Sequence, residues 1–169
     1  ENAEKLLKSK FKKKYAILTN SWTNGLITIL LSLKIKPDDE IIIPACTFVA
    51  CANVIEMVGA KVVFADIDPS TKLMDIKDCL KKITKKTKII MPVHLYGNLF
   101  QTKNLKNKIR KNIILIEDSA HAFCGEYHNN MIGKYADFLV FSFYATKSIT
   151  CGEGGAIITN HKILSEKIR

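Results

Sequence analysis

No run of eighteen apolar residues occurs in this 169-residue chain, so no segment of it reads as a membrane-spanning helix. The opening stretch ENAEKLLKSKFKKKY is charged and amphipathic, without the apolar stretch and small-residue cleavage site of a secretory signal. Cysteine is sparse and scattered. Cys46, Cys51, Cys79, Cys124 and Cys151 form no C-x-x-C pair and no paired spacing with histidine, which argues against a zinc site and against a disulfide framework. Internal repeats, low-complexity linkers and basic segments interleaved with aromatics are missing as well. The expectation is a cytoplasmic protein with reduced thiols, no metal, and neither nucleic acid nor membrane as partner.

What is present fits a packed α/β domain. Apolar residues make up 47% of the chain and charged residues 25%, a globular balance rather than a disordered one. The formal charge of +10 comes largely from three lysine clusters, Lys5 to Lys14, Lys77 to Lys88 and Lys103 to Lys111, each reading as the solvated face of a helix or its flanking loop. Such a charge would also help hold an anionic small molecule such as a nucleotide diphosphate.

Short runs rich in Ile and Val alternate with stretches of helical period, the pattern of βα units around a mostly parallel, buried sheet. Strands are expected at Tyr15 to Thr19, Glu40 to Pro44, Lys61 to Ala65, Lys88 to His94, Ile113 to Glu117, Asp137 to Phe143 and Gly155 to Thr159. Helices are expected at Thr23 to Leu33, Thr47 to Val58, Ile76 to Ile83 and Thr102 to Lys111. Both chain ends fall in helical-looking sequence, so residues 1–169 read as one domain truncated at both ends. In open sheets of this kind ligands sit beyond the carboxyl ends of the strands. That singles out Asn20, Pro44, Asp66, His94 and Asp118, although Asp66, in ADIDPST, reads better as a turn former before Pro69.

Four segments carry chemistry. In FSFYATKSITCGEGG, Lys147 leaves an apolar strand and enters a turn containing Gly152, Gly154 and Gly155. A desolvated amine there is suited to attack an aldehyde or to shuttle a proton, though a lysine after a strand is on its own an ordinary loop residue. Ser142, near the end of the same strand, offers a hydroxyl to a phosphate, or is a commonplace strand serine. In IILIEDSAHA, Asp118 ends an apolar strand, where an unpaired carboxylate is costly. Either it meets a cation, such as a protonated pyridine nitrogen, or it caps the turn that follows. His121 falls three residues on, facing the same ligand or serving structure. In TNSWTNGL, Ser21, Thr23 and Asn24 stand where a strand runs into a helix start, a place for phosphate or simply for capping. In ACTFVACANV, Phe48 lies in the expected first helical turn, to stack on a flat ligand or to pack in the core.

These segments, in this order, resemble the DegT/DnrJ/StrS-type family of sugar aminotransferases along essentially the whole chain. DDEIIIPACTFVACANVIEMVGAKVVFADIDPST, TKIIMPVHLYG, EDSAHA, FSFYATK and GEGGAIITN look like consecutive family signatures. The resemblance implies a fold-type I large domain and pyridoxal 5'-phosphate as cofactor. Lys147 then matches the lysine that bonds the cofactor aldehyde, and Asp118 the acid facing the pyridine nitrogen. His121 matches a position near the phenolic oxygen, Thr23 and Asn24 the phosphate-holding helix start, Ser142 a phosphate-binding hydroxyl, and Phe48 a ring-covering aromatic. It further implies transfer of an amino group, from glutamate, to a keto group of a nucleotide-linked sugar in glycan precursor synthesis, by a homodimer. Members of the family are about twice as long, with a small C-terminal domain and loops that complete a neighbouring subunit's site. Two alternatives stand beside this reading. One is a dehydratase or lyase of the same family, some of whose members replace the lysine by histidine; the other is a non-catalytic cofactor-binding regulator.

Overall fold

A computed structural model describes residues 2–127, 130–162 and 166–167. The chain runs through α1 (Asn2–Phe11), β1 (Tyr15–Thr19), α2 (Trp22–Ser32), β2 (Glu40–Pro44), α3 (Ala50–Met57), β3 (Lys61–Ala65) and α4 (Ile76–Lys81). It continues through β4 (Thr87–Ile90), α5 (Thr102–Lys106), β5 (Ile114–Asp118), a small hairpin of β6 (Glu126–Tyr127) and β7 (Asn130–Met131), β8 (Phe138–Ser142) and β9 (Gly155–Thr159). Seven strands form one sheet in the order β1-β9-β8-β5-β4-β2-β3. Strands β3, β2, β4, β5 and β8 pair in parallel, while β9 runs antiparallel to both β8 and β1. Six strands thus share one direction. This is the expected mostly parallel sheet flanked by helices.

Period-two alternation divides the strand residues between two buried faces. Ile41, Ile43, Ile116, Val140 and Ile157 pack under α2 and α3. Ile42, Ile90 and Leu115 face the layer of α4 and α5, and Leu139, Phe141 and Ile158 face α1. Helix α2 earns its place by spacing, since Trp22, Leu26, Ile29 and Leu30 fall on one stripe and all are buried. Ser21 caps it, its hydroxyl accepting the Asn24 N–H at 3.1 Å. The lysine clusters lie along α1, from α4 into β4, and along α5 and its exit, and among the described residues no helix is long and apolar enough to cross a membrane.

Several element boundaries differ from expectation for local reasons. Strand β4 stops at Ile90, two residues before Pro92, which has no N–H to give the ladder; the chain then bends so that the Pro92 carbonyl accepts from Asp118 N at 2.9 Å. Helix α3 begins at Ala50 rather than Thr47, leaving Cys46, Thr47 and Phe48 as irregular chain. Helix α5 ends at Lys106, where Asn107 takes over as its cap in a stretch whose only charges are positive. The β6–β7 hairpin is too short to leave a periodic signal. The helix expected at the C-terminal end lies largely outside the described residues. Asp66 is not the turn former expected before Pro69; Asp68 is, its Oδ1 accepting from Ser70 N at 2.9 Å and Thr71 N at 2.8 Å.

One close approach fixes the layers together. A Cβ on Gly155 would lie 2.6 Å from the Ser21 carbonyl carbon and 2.7 Å from Thr19 Oγ1, so β9 meets the β1–α2 junction only because no side chain intervenes. Gly155→Ala in the intact protein is expected to cost about 1–3 kcal/mol, read from the urea midpoint, because the atoms it meets are mostly backbone. An unchanged midpoint would contradict this packing.

Candidate active site

Because six strands run the same way, their carboxyl ends share one rim, and β9 brings its amino end to the same place. A cavity of about 560 Å³ opens along this rim, within the roughly 300–1,000 Å³ typical of small-molecule sites. Its walls come from chain segments far apart in sequence: the start of α2, the Cys46–Phe48 stretch, the turns after β4 and β5, and the β8–β9 loop. Lys147, Asp118, His121, Ser142, Thr23 and Phe48 all line it. Asn24 does not. Its N–H is taken by Ser21 Oγ and its side-chain amide donates to Asn20 Oδ1 at 2.7 Å, both along its own helix entry.

Asp118 closes the floor of the cavity. Only 4% of it is exposed; Oδ1 accepts the Ala120 N–H at 3.0 Å and Oδ2 accepts the Cys51 thiol at 3.4 Å. Among the described residues no Lys, Arg or His nitrogen forms an ion pair with it. Burial pushes its pKa above the ordinary carboxylate value, with the two donors and the more distant His94 and His121 opposing. Its neighbour Glu117 points to the other face of the sheet. There it meets His94 Nε2 at 3.2 Å and the Gly133 N–H, while His94 Nδ1 accepts from Phe100 N. His94 therefore does not line this cavity but is a buried partner of Glu117 on the other face of the sheet.

Lys147 sits on the loop between β8 and β9, in a turn whose N–H donates to the Tyr144 carbonyl at 3.0 Å. Phe143 anchors that loop at both ends, donating to the Gly154 carbonyl at 2.8 Å and accepting from Cys151 N at 3.1 Å. Gly152 supplies the positive φ of 85° that the return requires. The amine is half-buried at the cavity wall rather than enclosed. Its charge reaches His121, whose pKa is held below the ordinary imidazole value first by burial and then by Lys147, with Asp118 opposing. His121 Nδ1 accepts the Tyr96 N–H at 3.2 Å, and the two rings stack at 5.7 Å with a 4° interplanar angle. A neutral His121 held this way carries its proton on Nε2.

The remaining positions follow from backbone geometry. Ser142 ends β8 opposite Gly155; its Oγ accepts from Tyr144 N at 3.3 Å and keeps its own proton to donate. Thr23 lies in the first turn of α2, where the leading amides have no carbonyl of their own helix to reach. Phe48 is not a core residue: it is 70% exposed and stands at the mouth of the cavity. Sequence reasoning overlooked Cys51, whose i, i+4 spacing from Thr47 in a helix entry was the available signal. Tyr96 lines the cavity as well.

The donor set suits a flat ligand with an anionic end, a reactive carbonyl and a cationic ring nitrogen. The buried carboxylate, without a cation among the described residues, the α2 entry beside the Ser142 hydroxyl, and the Lys147 amine line one cavity.

Comparison with known proteins agrees. A profile described as the DegT/DnrJ/EryC1/StrS aminotransferase family matches residues 1–169. The chain is 40% identical over 154 residues to a GDP-perosamine synthase of Escherichia coli O157:H7, covering 90% of this chain and 42% of that protein. Among solved structures, NtdA of Bacillus subtilis with bound cofactor PMP superposes with a TM-score of 0.91 at 35% identity, covering 99% of this chain and 38% of the other. A GDP-4-keto-6-deoxymannose-3-dehydratase with bound GDP-perosamine gives 0.92 at 27% identity, covering 98% and 45%. The chain spans about two fifths of the length of the curated relatives it matches.

The isolated charge on Asp118 has a consequence for stability. Its pKa is raised on folding, so between the ordinary and the raised value the folded state binds more protons than the unfolded state, and stability falls as pH rises through that window. Asp118→Asn is expected to raise the thermal midpoint of the cofactor-free intact protein at neutral pH, with the gain shrinking on acidification. A variant less stable than the wild type at every pH would refute the claim that this carboxylate lacks a cationic partner.

Proposed function

The chain belongs to the DegT/DnrJ/EryC1/StrS aminotransferase family, and on that basis we propose that the intact protein is a pyridoxal-phosphate-dependent aminotransferase. It moves an amino group, from glutamate, to a keto group of a nucleotide-linked sugar for glycan precursor synthesis. The observation that carries the reading is the meeting of Lys147, from the β8–β9 loop, and Asp118, from the end of β5, in one cavity where, among the described residues, the carboxylate has no cation of its own. The likeness to a GDP-perosamine synthase supports the nucleotide-sugar substrate class. Residues 1–169 are read as part of the large domain, with a small C-terminal domain elsewhere in the intact protein.

A bound pyridoxal phosphate would supply an aldehyde for amine exchange and a ring able to take up an electron pair. The chain supplies the rest. Lys147 Nζ would hold the group through its aldehyde and, when its amine is free, would carry a proton between the reacting atoms. Asp118 would favour a protonated ring nitrogen. His121 would offer its Nε2 proton to the group. Thr23, the first amides of α2 and the Ser142 hydroxyl would hold its phosphate, while Phe48 would cover its ring and exclude water.

A second copy of the chain completes the site in this reading. Exposed apolar side chains at and around the mouth, among them Phe48, Val49, Tyr96 and Tyr144, support a homodimer interface there. Five free cysteines support a reducing compartment, the cytoplasm. The dehydratase alternative is weakened by Lys147, which stands where some dehydrating relatives lack the lysine.

The intact protein loaded with pyridoxal phosphate is expected to show a visible absorbance band that decays on adding glutamate, and to yield an amino sugar from a keto-sugar nucleotide. Lys147→Ala is expected to lower turnover roughly a hundredfold or more. A band indifferent to glutamate would favour a binding protein, a deoxygenated product without nitrogen would favour the dehydratase, and full turnover by Lys147→Ala would end the proposal.

A further inference from the structure

Asp118 is held by two groups of unequal kind. The Ala120 N–H takes Oδ1 at 3.0 Å, a local contact within the turn that follows β5. Oδ2 is taken at 3.4 Å by Cys51, which is 0% exposed and lies on the other side of the cavity floor in the first turn of α3. Alternation along β5 puts Asp118 on the same face as Ile116, the face α3 covers, so this contact crosses between secondary-structure layers. Thr47 Oγ1 lies 3.2 Å from the same sulfur. With the thiol proton directed at Oδ2, the sulfur accepts the Thr47 hydroxyl, and the three groups form a line from the Thr47 side of the cavity wall to the carboxylate. Burial and the neighbouring Asp118 charge drive the Cys51 pKa well up, so the sulfur stays a protonated donor.

We propose that Cys51, set by Thr47, is a positioning residue that fixes the plane of the Asp118 carboxylate against a cationic ring nitrogen in the cavity. The inference rests on the cofactor reading above and deepens it. A carboxylate held only at Oδ1 can pivot about that bond; a second donor from a different layer removes the freedom. A thiol is a weak donor, so it orients Oδ2 while drawing off little of the charge that the ring nitrogen needs. An alcohol at this position would also orient Asp118. Alanine would not, and would leave the Thr47 hydroxyl facing a void.

The test uses the intact protein, titrated with pyridoxal phosphate and followed by absorbance across pH. Cys51→Ala is expected to weaken cofactor binding roughly three- to tenfold, the loss of one buried hydrogen bond, and to shift the pH profile of the bound cofactor's absorbance. Cys51→Ser is expected to restore both to near wild type. Thr47→Val keeps the thiol and its packing but frees its orientation, and is expected to shift both readouts in the direction of Cys51→Ala by a smaller amount; it carries the test if Cys51→Ala does not fold. Wild-type affinity and profile in Cys51→Ala, or in Thr47→Val should that variant stand alone, overturns the inference, as does a Cys51→Ser protein as impaired as Cys51→Ala. Failure of the wild-type protein to bind the cofactor overturns the functional reading, and this inference with it.

Discussion

A carboxylate buried at the end of a parallel strand, with no cation from the described chain to balance it, sets the terms for everything around it. Two adjacent residues make the point. Glu117 and Asp118 leave β5 toward opposite faces, and both are buried. Glu117 is compensated on its side by His94 and the Gly133 amide, with the histidine ring itself locked by Phe100 N. Among the described residues Asp118 receives only an amide and a thiol. The first arrangement is internally paired, and the second faces a cavity of a size to admit a ligand without such a pair among the described residues. Folding tolerates the second at a cost in stability that a cationic partner removes.

The sheet makes that partner's site possible. With six strands in one direction, every loop that follows β1, β2, β4, β5 and β8 arrives at the same rim, so residues more than a hundred positions apart become neighbours. The antiparallel strand β9 does the complementary work of pinning the Lys147 loop, through the bonds between Phe143, Cys151 and Gly154. Gly155 then allows that strand to lie against the entry of α2. The amine and the helix start are thereby held near each other by backbone contacts rather than by side chains.

Much of this was legible in the sequence. Apolar runs such as EIII and ILIE gave strands at nearly their observed bounds, because a doubly covered strand must be apolar throughout. Lys147, Asp118 and Ser142 were legible because each follows or ends such a run, which is where a parallel sheet exposes its chemistry. Phe48 was placed in a helical turn that does not form, since apolar periodicity continues from Thr47 to Val58 while the chain stays irregular until Ala50. Asn24 was grouped with the phosphate candidates because its residue type suits a helix entry, but Ser21 and Asn20 already occupy it. Two contacts were out of reach: the His94–Glu117 pair and the Cys51–Asp118 bond both join residues whose proximity depends on which strands are neighbours. Sequence spacing carries no record of that.

The central claim is that Asp118 owes its place to a protonated ring nitrogen. Nitrogen-15 NMR of the intact protein loaded with ring-labelled pyridoxal phosphate measures it directly. At a pH where the free cofactor's ring nitrogen is deprotonated, the account predicts a protonated nitrogen in the wild-type protein and a deprotonated one in Asp118→Asn. A deprotonated nitrogen in the wild type, or a signal indifferent to the substitution, would contradict it.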